Sequence, residues 1–173
     1  LQKPFKKGKG WLYEGGIRVP LIISWPRRIR NSFVSEQMTS SIDFLPTILN
    51  VTNSGLNDKS FYDGRDISQV FYNKSNLINR DELYWHYPHY HSGSGMEPAS
   101  AIRWKDYKLI QWHEATILNQ GRQIELYNLK LDPGENNDLS QIEPEIAILM
   151  KNKLKNWIKE VDARMPKVNR ENY

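Results

Sequence analysis

The chain contains no cysteine, which excludes disulfide bonds, thiolate nucleophiles and thiolate metal ligands. Long hydrophobic runs are also lacking. The longest candidates are Val19–Trp25 and Ile146–Met150, far short of the roughly 20 apolar residues that a membrane-spanning helix needs. The chain starts at Leu1 with neither an initiator Met nor a signal-peptide pattern, so we expect the natural N-terminus to lie elsewhere.

The remaining composition is that of an ordinary globular domain, with 39% hydrophobic and 25% charged residues in 173. The net charge of +4 is unevenly distributed. Residues 1–30 hold eight Lys or Arg and one Glu, whereas the rest of the chain holds sixteen basic and nineteen acidic residues. A basic segment of this kind suits an anionic substrate or a nucleic acid, and it equally suits a solvated, frayed end.

The first part of the chain has the pattern of an α/β domain. Ile17–Trp25 is a nearly continuous apolar run that ends at Pro26, which predicts a strand buried on both faces. Apolar residues at helical spacing predict a short amphipathic helix over Ser41–Val51, with Pro46 in its first turn. Polar and turn residues between Asn53 and Asn79 indicate a surface connection.

From Glu82 onward the pattern favours β structure. Short apolar and aromatic runs separated by turn residues predict five strands, at Leu83–Tyr87, Ala101–Trp104, Tyr107–Trp112, Ala115–Leu118 and Ile124–Leu129. Two hairpin tips are expected, at Lys105-Asp106 and at Asn119-Gln120-Gly121.

The last part of the chain predicts a turn and then a helix. The turn is Asp132-Pro133-Gly134-Glu135, in which we expect Gly134 to take a positive φ. Apolar residues at intervals of three and four predict a helix over Pro144–Arg164 that covers the sheet, with Trp157 in the core. The fold class is therefore α/β plus α+β, with a domain boundary near residue 80.

The most distinctive segment joins a lysine and a glycine to a pair of glycines just before the apolar run. Its residues are Lys9-Gly10-Trp11-Leu12-Tyr13-Glu14-Gly15-Gly16-Ile17-Arg18-Val19-Pro20. The segment resembles the formylglycine-dependent sulfatases of the alkaline-phosphatase-like superfamily. In that family the motif lysine reaches the sulfate in the active site, and it matches Lys9. Without the resemblance, Lys9 would be interpreted as a solvated surface lysine and the glycines as a tight turn.

Further fragments of the same resemblance follow in order over roughly residues 7–165. They are Ser24-Trp25-Pro26, Asp43-Phe44-Leu45-Pro46-Thr47-Ile48-Leu49, Asp63-Gly64-Arg65-Asp66-Ile67, Ala101-Ile102-Arg103, Asp106-Tyr107-Lys108-Leu109-Ile110 and Glu125-Leu126-Tyr127-Asn128-Leu129 with Asp132-Pro133-Gly134-Glu135. The resemblance implies that residues 1–80 are the last elements of the catalytic α/β domain. It implies that residues 81–173 form a C-terminal subdomain with an antiparallel sheet and a long helix.

A second candidate for a site is the segment Tyr84–His91, in which aromatic residues and histidines are interleaved. Aromatic faces stack on sugars and imidazoles bind hydroxyl or sulfate oxygens, so we predict that His86 and His89 contact the substrate. Two other interpretations stay open: a half-buried strand without a binding role, and a zinc site formed by these two histidines with His91. We assign no metal ligand in this chain.

The resemblance also implies what must come from outside the chain. The family's nucleophile is a formylglycine made from Cys or Ser, and its calcium is held mainly by Asp and Asn residues that precede the segment matching Lys9. We therefore expect formylglycine and the calcium ligands in a missing N-terminal half. The partner of this chain would then be the N-terminal catalytic half of the same protein. The chain alone is expected to be inactive.

The function expected from the resemblance is hydrolysis of sulfate esters, with a sulfated glycan as substrate, in a periplasmic or extracellular location. We expect neither nucleic acid nor a membrane as a partner. Two alternatives stay open: a phosphodiester or phosphonate hydrolase of the same superfamily, and a non-catalytic module that binds glycan or nucleic acid. The second would require basic residues spread over the folded sheet, whereas the excess lies in residues 1–30.

Overall fold

The computed structural model describes residues 3–54, 62–73 and 75–168. Of the predicted surface connection between Asn53 and Asn79, residues 55–61 and 74 lie outside the described residues. The chain divides into two compact units. One combines the described parts of residues 1–19 and 81–173, and the other comprises residues 20–80. No helix in the described ranges is long and apolar enough to cross a bilayer.

The larger unit is built on a four-stranded antiparallel sheet. Its strands lie side by side in chain order: β1 (Glu82–Tyr87), β2 (Ala99–Trp104), β3 (Tyr107–Trp112) and β4 (Ile124–Asn128). Four of the five predicted strands are thus confirmed. The predicted tip at Lys105-Asp106 closes the hairpin of β2 and β3, with Lys105 at φ 54°.

The fifth predicted strand, Ala115–Leu118, is wrong, because those residues belong to helix α3 (His113–Leu118). One edge of β3 pairs with β2 and the other pairs with β4, so no edge of β3 is left for another strand. The residues between β3 and β4 therefore serve as a connection between two neighbouring strands. The helix ends at Asn119, which adopts the left-handed conformation at φ 51°. The predicted turn at Asn119-Gln120-Gly121 therefore ends a helix instead of joining two strands.

Helix α4 (Pro144–Glu160) covers one face of the sheet and begins with proline in its first turn. It ends four residues before the predicted Arg164. Its fully buried residues are Ala147, Met150 and Leu154, which pack against Ile102, Leu109 and Leu126. Trp157 is only partly buried, and its ring stacks on Tyr84 with the centroids 4.8 Å apart. The position expected for Trp157 in the centre of the core is taken by Leu154.

The opposite face of the sheet is covered by the N-terminal segment, residues 3–19. Leu12 and Tyr13 pack there against Ala101, Ile110 and Tyr127. Alternate residues of β2 and β3 therefore point to different cores: Ala101 pairs with Ile110 on this face, and the next pair lies under α4. The sheet is buried on both faces.

The predicted strand Ile17–Trp25 does not form in the structure. Helix α1 (Glu14–Ile17) includes its first residue, and residues 18–25 have no regular secondary structure. Val19 and Ile22 are 72% and 89% exposed. A strand buried on both faces needs neighbouring strands, and the described residues of 20–80 contain none. The assignment of residues 1–80 to a catalytic α/β domain stays a prediction, and residues 3–19 belong to the larger unit, which contains the sheet.

The smaller unit contains the predicted helix Ser41–Val51, as a 3-10 turn (Ser41–Asp43) followed by α2 (Phe44–Val51). Asp43 is completely buried and accepts hydrogen bonds from the backbone of Ser40 and Arg65 and from the Arg80 guanidinium. Burial alone would raise the pKa of Asp43, but these donors hold it below its usual value. The carboxylate thus ties the start of α2 to Arg65 within the following connection and to Arg80 just after it.

The covering role of α4 can be tested by truncating Leu154. We expect Leu154→Ala to lower the free energy of unfolding by about 2–5 kcal/mol, because the fully buried side chain leaves a cavity against the sheet. Urea unfolding measures this loss. Leu149 lies on the same helix and is 42% exposed, so Leu149→Ala is the matched control. Its free energy of unfolding should fall by less than about 1 kcal/mol. Equal losses would contradict the orientation of α4.

Candidate functional site

The N-terminal segment is held on the sheet by a group of three buried charges. Lys108 on β3 lies between two carboxylates, with its Nζ 3.1 Å from Glu14 Oε1 and 2.8 Å from Glu135 Oε1. The second oxygen of Glu135 accepts a hydrogen bond of 2.7 Å from the backbone N–H of Glu14. All three side chains are at most 4% exposed. A buried ammonium of this kind is stable only when it is paired, and the two carboxylates supply that pairing.

Glu135 brings its carboxylate to this group through an unusual backbone conformation. The predicted turn places the positive φ at Gly134, whereas the structure has it at Glu135, with φ 54°. Burial is the main influence on the Glu135 carboxyl and raises its pKa, although the nearby Lys108 ammonium opposes the shift. The left-handed conformation costs about 1–2 kcal/mol for a residue other than glycine. The ion pair with Lys108 offsets part of that cost.

A second polar network reinforces the same contact. Glu125 on β4 accepts hydrogen bonds from the hydroxyls of Tyr13 and Tyr127, at 2.7 and 2.8 Å. The Lys6 ammonium donates to Tyr127 Oη and to the carbonyl of Glu135, both at 3.0 Å. Burial, and then the hydrogen bond to Glu125, raise the pKa of both tyrosines, which keeps them as neutral donors. Two networks therefore fix residues 6–14 on the sheet.

The glycine pair of the motif serves close packing of the backbone. A Cβ atom on Gly16 would lie 2.0 Å from the carbonyl oxygen of Trp11, and one on Gly15 would lie 2.4 Å from that of Lys6. Neither position has room for a side chain. The loop of residues 6–11 is consequently folded tightly against α1.

Lys9, the predicted catalytic residue, lies on this loop. Its side chain is exposed, and it makes no ion pair or hydrogen bond within the described part of the chain. The loop contacts the turn of residues 91–96, where the Trp11 indole donates a hydrogen bond of 3.1 Å to the Ser94 carbonyl. The structure therefore brings the lysine motif next to the end of the aromatic and histidine segment. The catalytic role of Lys9 stays a prediction.

The two predicted substrate contacts have different surroundings. Both ring nitrogens of His86 are engaged: Nδ1 lies 2.6 Å from Ser100 Oγ and Nε2 lies 2.8 Å from the Arg164 carbonyl oxygen. His89 is exposed, and its ring centroid lies 6.0 Å from that of Tyr87. His89 is free to meet a ligand, whereas His86 would first have to exchange a hydrogen bond. Their role as substrate contacts stays a prediction.

His113 was not anticipated as part of this region. It is 2% exposed, and its Nε2 lies 2.8 Å from Ser100 Oγ, so one hydroxyl joins two imidazoles. Burial, and then the neighbouring His86, lower the pKa of His113 to about 4. Sequence alone gave no signal for this contact, because its partner Ser100 lies on the adjacent strand.

The structure offers no evidence for the zinc interpretation. Among residues 3–54, 62–73 and 75–168, no group of three or more His, Asp or Glu side chains is arranged to hold a metal ion. His91, the third histidine of that interpretation, directs its Nδ1 to Ser94. The described residues therefore give the zinc interpretation no support.

The resemblance implies a nucleophile pattern in which Cys or Ser is followed at two positions by Pro and at four by Arg, and one serine of this chain has that spacing. Ser24 is followed by Pro26 at two positions and by Arg28 at four. Ser24 is exposed, and the Arg28 guanidinium lies over the Trp25 ring at 5.7 Å. A pattern of three residues is short enough to occur by chance, and this one stands after the Lys9 segment, whereas the family's nucleophile precedes it. We assign Ser24 no catalytic role.

Comparison with known proteins places these features in a family. Residues 5–164 match the family described as N-sulphoglucosamine sulphohydrolase, C-terminal. The chain belongs to this sulfatase family. It is 35% identical over 169 residues to a sulfatase of Formosa agariphila, covering 90% of this chain and 29% of the relative. It is 31% identical over 133 residues to an N-acetylglucosamine-6-O-sulfatase of Bacteroides thetaiotaomicron, covering 76% of this chain and 23% of that protein.

Solved sulfatase structures share the fold. BT4656, in complex with D-glucosamine-2-N,6-O-disulfate, has a TM-score of 0.67 at 24% identity and covers 84% of this chain and 29% of its own. Ps i-CgsB, in complex with a neocarrahexaose, has a TM-score of 0.72 at 22% identity over 90% and 32% of the two chains. The chain thus spans less than a third of these sulfatases, as their C-terminal portion. The predicted family and fold class are confirmed.

The buried charges predict a large effect of removing Lys108. We expect Lys108→Met to lower the free energy of unfolding by about 3–5 kcal/mol, since buried Glu135 loses its cation and Glu14 keeps only the exposed Arg18 guanidinium at 3.7 Å. Denaturant unfolding of the variant measures the loss. Lys130→Met removes the same charge from an exposed position and should change stability by less than about 1 kcal/mol. A Lys108 variant as stable as this control would contradict the structural role of the ion pairs.

The lowered pKa of His113 predicts a pH dependence of stability. Below pH 6.5 the unfolded chain binds a proton that the folded chain excludes until about pH 4. The free energy of unfolding should therefore fall by about 3 kcal/mol across this window through His113 alone, and be fully regained above pH 6.5. Unfolding curves of the parent chain and of His113→Gln isolate this contribution from that of the carboxyls. Identical slopes between pH 6.5 and 4 would show that His113 titrates normally.

Proposed function

We propose that the complete protein containing this chain is a sulfatase that hydrolyses sulfate esters of a carbohydrate. The chain supplies Lys9 and part of the substrate pocket. The formylglycine nucleophile and the calcium ligands come from the preceding part of the protein. The observation that carries this proposal is the position of Lys9: in a chain of the sulfatase family, buried ion pairs fix the lysine's loop while leaving its ammonium exposed.

The chemistry of sulfate esters gives this lysine a function. Cleavage of the bridging bond moves negative charge onto the leaving oxygen, and a fixed cation beside it lowers the barrier. Two unit charges about 4 Å apart attract by about 1 kcal/mol in water and by about 4 kcal/mol at an effective dielectric of 20. An exposed Lys9 therefore gains catalytic value only when the rest of the protein and the substrate exclude water from it.

A sugar is supported as the carrier of the sulfate by two kinds of observation. Exposed His89 lies against Tyr87, so the chain presents an imidazole and an aromatic ring side by side, a combination suited to hydroxyl groups and sugar C–H surfaces. Among the relatives, one is an N-acetylglucosamine-6-O-sulfatase, and BT4656 was solved with a disulfated glucosamine as its substrate. We retain His86 as a second contact, provided that it releases the Arg164 carbonyl. The periplasmic or extracellular location is part of the same proposal.

The proposal is tested by replacing Lys9 in the complete protein. We expect Lys9→Ala to lower kcat/KM on a sulfated sugar by about 10²–10³, the loss typical of one charge-stabilising group. The exposed Lys3 is the control, since Lys3→Ala removes the same charge from the same segment and should keep near-normal kinetics. Ser24→Ala should also leave the rate unchanged.

Three results would contradict the proposal. Unchanged kinetics for Lys9→Ala would remove the lysine from the mechanism. Equal, salt-sensitive losses for Lys9→Ala and Lys3→Ala would mean that the segment only attracts anions. Turnover by residues 1–173 alone would contradict the assignment of the nucleophile to the preceding part of the protein.

A further inference from the structure

The turn that follows the aromatic and histidine segment is rigidly built. The backbone N–H of His91 donates to the Met96 carbonyl at 2.9 Å, and those of Ser94 and Gly95 donate back to the His91 carbonyl at 3.1 and 2.9 Å. Met96 is 1% exposed and joins the core formed by Leu12 and Tyr13. These contacts fix the backbone of His91 relative to the N-terminal segment.

The same turn fixes the proton on the His91 ring. Its Nδ1 receives a hydrogen bond of 3.0 Å from the backbone N–H of Ser94, and the Ser94 hydroxyl lies 2.9 Å away. A backbone N–H can only donate, so Nδ1 must be the acceptor. The proton of the neutral imidazole is therefore on Nε2, and that nitrogen is a hydrogen-bond donor.

His91 also lies directly beside the residue that follows Lys9. Gly10 has φ +90°, and a Cβ atom there would lie 2.8 Å from Ser94 Oγ and 3.2 Å from His91 Nδ1. The Ser94 hydroxyl is 3.4 Å from the Gly10 carbonyl oxygen. A side chain at residue 10 would crowd both groups, so glycine lets the backbone next to Lys9 lie close to the imidazole.

The outer nitrogen of His91 has no partner among the described residues. No described residue accepts a hydrogen bond from its Nε2, and the ring is half-buried with its centroid 6.5 Å from that of Tyr87. His86 differs, because both of its nitrogens are bonded within the chain. His91 thus combines a fixed orientation, a defined tautomer and an unpaired donor beside the lysine motif.

We propose that His91 is a further substrate-binding residue, whose Nε2–H donates to an oxygen of the sulfated sugar that Lys9 contacts, and that Ser94 is its positioning residue. This inference rests on the proposed function. The ligand atom is either a sulfate oxygen or a neighbouring sugar hydroxyl, because both accept a hydrogen bond from a neutral imidazole. Asparagine is the informative replacement. It can place an amide oxygen where Nδ1 accepts from Ser94, but it has no group at the position of Nε2.

In the complete protein, we expect His91→Asn to raise KM for the sulfated sugar by about tenfold to a hundredfold, with a smaller change in kcat, since one donor to the ligand is lost. His91→Gln, whose amide NH₂ reaches the position of Nε2, should recover part of the loss. Ser92→Ala is the control for Ser94→Ala, because Ser92 is an exposed serine of the same turn. We expect Ser94→Ala to raise KM and Ser92→Ala to leave it unchanged.

Product inhibition identifies the oxygen that His91 binds. If His91→Asn weakens inhibition by inorganic sulfate, the donor contacts the sulfate, whereas weaker inhibition by the desulfated sugar assigns it to a hydroxyl. The ¹⁵N shifts of His91 in the complete protein report the tautomer, which should be Nε2–H in the parent protein and also in Ser94→Ala, because the backbone N–H of residue 94 is kept.

Two outcomes would overturn the inference while leaving the proposed function intact: full sulfatase activity with unchanged KM and product inhibition in His91→Asn, or an Nδ1–H tautomer in the parent protein. A complete parent protein without activity on any sulfated sugar would instead contradict the proposed function itself.

Discussion

The ammonium of Lys108, buried between Glu14 and Glu135, is the interaction on which the arrangement of this chain depends. Removing one partner from a buried ion pair leaves an uncompensated charge, which costs more than an exposed pair contributes. The three residues come from α1, β3 and the turn after β4. Any structure that keeps them paired must place the N-terminal segment on the open face of the sheet, and that placement presents Lys9 beside the turn at His91.

Local pattern was sufficient to predict much of the sheet and its covering helix. Alternation along β2 and β3 and the helical spacing in α4 reflect contacts with one neighbouring layer, which the sequence encodes directly. Prediction failed where neighbours decide the structure. Ala115–Leu118 is helical because β4 already occupies the edge of β3, and Ile17–Trp25 lacks, within the described residues, the strands that it would need on either side.

The site was predictable to a similar extent. The motif around Lys9 and the interleaved histidines are both visible in contiguous residues, and the structure brings the ends of these two segments together. The partners that give each histidine its character were not predictable, because Ser100 and Arg164 are distant in sequence from His86 and are brought to it by folding. The role of Glu135 was likewise not predictable, because it depends on a left-handed backbone conformation that the sequence pattern assigned to Gly134.

The hydrogen bonds that join His86, Ser100 and His113 have a direction that is set at one end. The carbonyl of Arg164 can only accept, so neutral His86 carries its proton on Nε2 and its Nδ1 accepts from the hydroxyl of Ser100. The Ser100 oxygen must then accept from Nε2 of His113. The main chain beyond α4 therefore determines the tautomer of a buried histidine on the other side of two side chains. If residue 164 moved away, the three hydrogen bonds could reverse their donor and acceptor roles while the sheet itself stayed in place.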